Sequence, residues 1–138
     1  MKIVVSACLL GENCKYNGGN NYSEKVAKFV EGRDVIPICP ETLAGLGIPR
    51  TPIEIRGDSV ISRDGEDVTD RLIHAVKAIL SQLEEEDIQC AILKSRSPTC
   101  GVRQVYDGTF TGTLTDGSGI LAAALKMCGY TVIDAEDL

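Results

Sequence analysis

One short stretch, in which an apolar run leads into a polar loop, decides the fold: Cys90-Ala91-Ile92-Leu93-Lys94-Ser95-Arg96-Ser97-Pro98-Thr99-Cys100-Gly101. The apolar run predicts a buried strand. The loop after it carries hydroxyls, cations and a thiol, which core packing does not require, and Pro98 and Gly101 constrain the backbone on either side of Cys100. Open α/β sheets usually hold their functional groups in such loops, at the carboxyl ends of buried strands. The stretch therefore predicts an α/β fold with its site at this end of the strand.

Strands and helices alternate along the rest of the chain, which favours a parallel sheet with right-handed crossovers. We predict core strands over 2–6, 34–38, 90–94 and 131–134, and helices after Ser23, over 69–83 and over 120–128. Pro37 cannot donate to a ladder, so the second strand is placed at a sheet edge. The predicted class is a Rossmann-like or flavodoxin-like α/β three-layer sandwich, a single domain over residues 1–138. Its mostly parallel four-stranded sheet has the order 2-1-3-4, with small β-hairpins added around Gly57-Asp58 and Asp107-Gly108.

Charge and cysteine usage narrow the function classes. The net charge of −6 argues against a nucleic-acid polymer as partner, because phosphate neutralisation needs a basic face. We expect no signal peptide and no membrane segment, since no apolar run is long enough, and therefore a cytoplasmic protein. Disulfides seldom persist in that compartment, so the six cysteines are expected to serve packing, metal binding or catalysis.

Three cysteines occupy equivalent places in the predicted sheet. Cys8, Cys39 and Cys100 each follow one of the first three core strands, so the topology predicts that they share one rim. Cys90 and Cys128 are interpreted as packing residues, because cysteine is also a small hydrophobe. Cys14 shares a loop with Cys8, and the sequence leaves open whether it is a spare thiol or an extra ligand.

Converging thiolates suit a soft metal. Structural zinc usually takes four ligands in closely spaced pairs, whereas this chain has no C-x-x-C, and its one histidine, His74, falls on the solvated side of its helix. A [4Fe–4S] cluster held by three cysteines leaves one iron open as a Lewis acid. Spacing alone does not decide between these sites.

Several motifs together resemble the thiouracil desulfidases, a family long known as domain of unknown function 523. The resemblance extends from Val5 to about Val132 and is carried by Ser6-Ala7-Cys8-Leu9-Leu10-Gly11, Cys39-Pro40-Glu41, Pro49-Arg50, Asp67-Val68-Thr69, the segment 94–101 and Tyr106-Asp107-Gly108-Thr109-Phe110. It implies a non-redox enzyme that removes sulfur as sulfide from a thiolated nucleobase such as 2-thiouracil. The chain departs from the family pattern at Thr99, where serine is common, and at Asn17, where aspartate is common.

The same resemblance implies the site residues. Cys8, Cys39 and Cys100 match the ligands of a [4Fe–4S] cluster, and Glu41 and Ser97 match the catalytic glutamate and serine. From the residues alone, Glu41 is equally explained as a carboxylate at a helix N-terminus, and Ser97 as a turn residue.

Other polar groups near these motifs are weaker candidates. Lys94, Arg96 and Arg103 flank the thiol and either balance an anionic cluster or are simply solvated. Ser118, in a Gly-rich turn before a helix, is a candidate substrate contact together with Arg96, because helix-start N–H groups attract anions. Two rival functions remain open: a sulfurtransferase that carries a persulfide on Cys100, and a non-catalytic nucleotide-binding module.

Overall fold

A computed structural model describes residues 1–138 and contains eight strands and four α-helices. The strands are β1 (Lys2–Ser6), β2 (Asp34–Ile38), β3 (Ile53–Arg56), β4 (Ser59–Ser62), β5 (Ile88–Leu93), β6 (Gln104–Tyr106), β7 (Leu114–Asp116) and β8 (Val132–Asp134). The helices are α1 (Glu24–Val30), α2 (Pro40–Leu43), α3 (Thr69–Glu84) and α4 (Ile120–Met127), with short 3-10 helices at Ala7–Leu10 and Ala135–Asp137.

Four strands form a parallel sheet in the order β2-β1-β5-β8, which is the predicted order of the four core strands. β2 lies at the edge, as the proline at position 37 requires. The pairs β3–β4 and β6–β7 form two separate antiparallel hairpins, so the predicted hairpin additions are confirmed.

The two faces of the sheet bury alternate side chains of each strand, which makes three layers. On β1, Ile3 and Val5 pack towards Val26 of α1, whereas Val4 packs towards α3 and α4. Ser23 caps α1 by accepting the N–H of Val26 at 3.2 Å. The sheet is therefore covered on both sides, and its carboxyl-end rim is left to carry polar groups.

Three details differ from the sequence prediction. β5 begins at Ile88, two residues before the predicted start at Cys90. The apolar pattern of residues 72, 73, 76, 79, 80 and 83 predicts that Ile73 is buried, but it is exposed, because it lies about a quarter turn from a stripe centred on Leu72 and Val76. The β6–β7 hairpin has a long connection, residues 107–113, because side chains of β3 hold that segment.

The helices of the structure are short or polar. None combines the length and the apolar character needed to cross a membrane.

Candidate functional site

A cavity of about 470 Å³ opens at the carboxyl-end rim of the sheet. Cys8 lies in the 3-10 helix after β1, Cys39 at the start of α2 after β2, and Cys100 in the loop after β5, and all three line the cavity. Cys14 lines it as well. The structure thus brings together Cys8, Cys39 and Cys100, which the order of the strands predicts to converge. Cys14, whose role the sequence leaves open, lines the same cavity.

The four thiols differ in burial but are all free. Burial, together with the nearby Glu41 carboxylate and Cys8, raises the pKa of Cys100 to about 12, although hydrogen bonds from Ser6 and Thr99 oppose the change. Burial also raises the pKa of Cys8, against a hydrogen bond from Asn21. The pKa of Cys14 is raised to about 12, by burial and then by the neighbouring Cys39. Without a bound metal, Cys8, Cys14 and Cys100 are therefore held as thiols.

The thiol loop, residues 94–101, is fixed from inside. Ser97 Oγ accepts the backbone N–H groups of Thr99 at 3.1 Å and Cys100 at 3.0 Å. The N–H of Gly101 donates to the Ser97 carbonyl at 2.8 Å. At the other end, the Lys94 N–H donates to Ser6 Oγ at 2.9 Å, which joins the loop to the end of β1. The position of the Cys100 sulfur is therefore set by the backbone.

The first turn of α4 also holds this loop. Ile120 N–H donates to the Pro98 carbonyl at 3.0 Å, and Leu121 N–H donates to the Thr99 carbonyl at 2.9 Å. The expectation that these amides are free for a substrate or an anion is therefore wrong, because the thiol loop already uses them. Ser118 does not line the cavity, and its hydroxyl donates to the Val102 carbonyl at 2.8 Å.

Gly119, just before α4, lies against the backbone of the thiol loop at Thr99 and Cys100. A Cβ built there would lie 2.4 Å from the carbonyl carbon of Thr99, whereas the φ of −63° suits any residue, so the restriction is steric. We expect Gly119→Ala to lower the free energy of unfolding by about 1–3 kcal/mol in urea titrations. Gly19→Ala is the matched control, since its Cβ would meet only the exposed side chain of Asn17. Equal stability of the two variants would contradict the steric argument.

Glu41 projects from the first turn of α2 into the cavity. Its Oε1 accepts from Arg50 Nε at 3.2 Å and its Oε2 accepts from the Thr99 hydroxyl at 3.2 Å. The Arg50 side chain is only 6% exposed and also donates to the Cys14 carbonyl at 2.8 Å. Both oxygens of the carboxylate are thus held in place. Arg50 and Thr99 are site residues that the sequence analysis had noted only as parts of motifs.

The cations around the thiol loop divide into two groups. Lys94 and Arg96 line the cavity, and burial, followed by the charge of Arg96, lowers the pKa of Lys94. Arg96 is paired with Glu136, through contacts of 2.9 and 3.1 Å. Arg103 does not line the cavity and pairs with Asp134 and Asp137 instead. Only the first two can therefore influence a group bound near the sulfurs.

A second part of the cavity lining comes from the two hairpins and their connections. We call this the far wall: Glu54, Arg63, Tyr106 and Phe110. The buried Glu54 carboxylate accepts the N–H groups of Gly108 at 3.0 Å and Phe110 at 3.1 Å, and the Arg63 guanidinium lies over the Phe110 ring. The far wall therefore contributes the aromatic ring of Phe110 to the cavity lining, and the buried Glu54 carboxylate fixes the backbone that carries this ring. No local pattern in the sequence predicts these roles.

A sequence model of the 2-thiouracil desulfurase family matches residues 3–137. The chain belongs to the 2-thiouracil desulfurase family. The resemblance noted in the sequence is thereby confirmed.

Two relatives of this 2-thiouracil desulfurase family member match along nearly their whole length. One is the uncharacterized protein YbbK of Bacillus subtilis (strain 168), which is 39% identical. The match covers 99% of this chain and 97% of the relative. The other is a solved structure of a [4Fe-4S]-dependent thiouracil desulfidase, TudS, with 36% identity and a TM-score of 0.90, covering 99% of this chain and 92% of that one. The predicted α/β fold is confirmed by this match.

The cysteines that line the cavity of this family member are donors of the kind that an iron–sulfur cluster uses. No three His, Cys, Asp or Glu side chains are arranged to hold one ion. In a cubane cluster each thiolate binds a different iron atom, so its ligands stand farther apart than those of a single ion. Cys8, Cys39 and Cys100 supply the cysteine donors that clusters use, and Lys94 and Arg96 supply positive charge beside them.

Proposed function

We propose that this protein is an iron–sulfur-dependent desulfidase that releases sulfide from a thiolated nucleobase such as 2-thiouracil. The convergence of Cys8, Cys39 and Cys100 on one cavity is the observation that supports it. These three residues would hold a [4Fe–4S] cluster. The likeness to a desulfidase described as [4Fe-4S]-dependent supports the same assignment.

The proposed reaction replaces a C=S bond with C=O and is balanced by water alone: C=S plus H₂O gives C=O plus H₂S, with no net change of oxidation state. When bound, a cluster with one iron free of protein ligands supplies a Lewis acid for the substrate sulfur. The residues of the chain supply the rest. In the proposed reaction Glu41 accepts a proton from the water, Ser97 donates a hydrogen bond to the ring of the substrate, and the far wall packs against that ring.

Anaerobic reconstitution with iron and sulfide tests this proposal. We expect iron to bind in the amount of one cluster per chain and sulfide to be released from 2-thiouracil. Failure to bind iron would overturn the cluster, whereas bound iron without sulfide release from 2-thiouracil or other thiolated bases would overturn the reaction. Uracil gives the matched control, because it offers the same ring without the sulfur.

The rival sulfurtransferase requires a thiolate of low pKa at Cys100, since the thiolate is the nucleophile. Burial has the opposite effect there, because it raises the pKa of Cys100 to about 12. A persulfide carrier must also reach its sulfur donor and acceptor, whereas the side chain of Cys100 is buried. Nucleotide binding without catalysis would be detected by equilibrium dialysis of the cluster-free protein against nucleotides.

Alkylation measures this difference directly. In the cluster-free protein we expect iodoacetamide to label the exposed Cys128 first at neutral pH and Cys100 last, as followed by mass spectrometry of tryptic peptides. Since the pKa is raised, the thiolate fraction of Cys100 should grow only as the pH approaches about 12. Urea-unfolded protein, in which the two cysteines should react alike, is the control. Preferential labelling of Cys100 at neutral pH would instead favour the sulfurtransferase.

A further inference from the structure

The hydroxyl of Thr99 lies between the two proposed catalytic side chains. Its Oγ1 is 3.0 Å from Ser97 Oγ and 3.2 Å from Glu41 Oε2. Thr99 is 1% exposed, so water does not compete for these contacts. Ser97 and Glu41 are 56 residues apart in the chain, and this threonine is what connects them.

Counting donors and acceptors fixes the direction of each hydrogen bond. Ser97 Oγ already accepts two backbone N–H groups, from Thr99 and Cys100, which occupies its lone pairs. Its own proton is therefore donated, and Thr99 Oγ1 is the acceptor within reach. Because Thr99 Oγ1 accepts from Ser97, it donates its single proton to the Glu41 carboxylate, which can only accept. The chain runs in one direction, from Ser97 through Thr99 to Glu41.

The alternative acceptor for the Thr99 proton is weaker. The Cys100 sulfur lies 3.8 Å from Thr99 Oγ1, whereas the carboxylate oxygen is nearer and charged. The threonine backbone does not depend on this choice, because its carbonyl is held by Leu121 and Ala122 of α4. A change at the hydroxyl alone should therefore leave the thiol loop in place.

We infer that Thr99 is a positioning residue whose hydroxyl links Ser97 and Glu41 in one hydrogen-bonded chain and thereby orients both side chains. In the resting state it turns the Ser97 proton away from the substrate. When substrate is bound, the Ser97 hydroxyl turns from Thr99 Oγ1 to the substrate ring, while Thr99 keeps its proton on Glu41 Oε2 and so holds the carboxylate in position to take a proton from the attacking water. Both O–H bonds of the water break and two S–H bonds form as C=S becomes C=O, so both protons end on the departing sulfide, one of them by way of Glu41. No electrons are transferred. The inference rests on the proposed function.

Two variants separate the hydroxyl from the volume of the side chain. Thr99→Val keeps the shape and removes the hydroxyl, and Thr99→Ser keeps the hydroxyl. In reconstituted protein we expect Thr99→Val to bind iron and 2-thiouracil as the wild type does, with an unchanged KM. Its kcat should fall about 10–100-fold, part of the contribution of positioned proton transfer. Thr99→Ser should restore most of the rate.

A second readout does not need the cluster. In the cluster-free protein labelled with ¹³C at glutamate carboxyls, the Glu41 resonance is assigned by its loss in Glu41→Gln. We expect this resonance to move in Thr99→Val at constant pH and to return in Thr99→Ser, because the hydrogen bond to Oε2 is lost and regained. Circular dichroism of each variant verifies the fold.

The outcomes are distinct. A wild-type kcat in Thr99→Val, or an unmoved carboxyl resonance, would overturn the inference. Equal loss of rate in Thr99→Val and Thr99→Ser would make the role merely structural and would overturn it too. If reconstituted wild-type protein releases no sulfide, the proposed function fails, and the carboxyl resonance still decides whether Thr99 couples the two side chains.

Discussion

Serine in place of Cys8, Cys39 or Cys100 should abolish cluster binding, and each of the three changes should do so alone. A cluster held by three cysteines loses one of its protein ligands in each variant, and a hydroxyl is a poor ligand for soft iron. We expect iron after anaerobic reconstitution to fall to background and sulfide release to disappear. Iron counting and the visible absorption of the cluster measure the effect.

Other cysteines provide the controls for that experiment. Cys128→Ser changes an exposed thiol and Cys90→Ala changes one buried in β5, and neither residue lines the cavity, so both variants should retain iron. Cys14→Ser decides between a spare thiol, which leaves the iron content intact, and an additional ligand, which does not. If Cys8→Ser and Cys39→Ser kept full activity and only Cys100→Ser lost it, a single-thiol enzyme would replace the cluster enzyme.

The pH dependence of iron uptake should follow from the same thiols. Metal binds thiolates, and burial raises the pKa of Cys8 and of Cys100 in the cluster-free protein. Binding therefore displaces protons, and the apparent affinity for iron should fall as the pH is lowered.

Glu41→Gln is expected to reduce kcat by about 10²–10⁴-fold. The amide keeps the size of the side chain, and its single oxygen can still accept from Arg50 or from Thr99, but it cannot take up a proton from water. Iron content and KM should remain close to wild type, because neither depends on proton uptake. Steady-state sulfide release under anaerobic conditions gives both constants.

The same variant also leaves the nearly buried Arg50 guanidinium without its counter-ion, so some loss of stability is expected. Thermal unfolding measures that loss separately from kcat. Glu66→Gln, which changes an exposed partner of Arg71, is the control and should alter neither. An unchanged kcat in Glu41→Gln would remove Glu41 from the proposed reaction.

Strand ends were the part of the site that sequence could predict. Apolar runs located β1, β2 and β5, and the parallel order then required Cys8, Cys39 and Cys100 to meet. These inferences use only local patterns and a general rule of topology. They do not depend on side-chain conformations.

The remaining parts of the site depend on contacts that no local pattern encodes. Glu54 binds the N–H of Gly108, 54 positions away, and Arg96 pairs with Glu136, 40 positions away. The turn before α4 looked like an anion site because its amides seemed free, but the thiol loop accepts the N–H groups of Gly119, Ile120 and Leu121. Long-range partners of this kind become visible only when the chain is folded.

The origin of the far wall has a consequence for how this scaffold can diversify. The sulfurs sit on loops tied to the central sheet, whereas Glu54, Arg63, Tyr106 and Phe110 belong to two peripheral hairpins and their connections. Mutations in those hairpins can reshape this part of the cavity lining while the loops that carry the three sulfurs stay tied to the sheet. The same set of sulfurs can thus be combined with cavities of different shape.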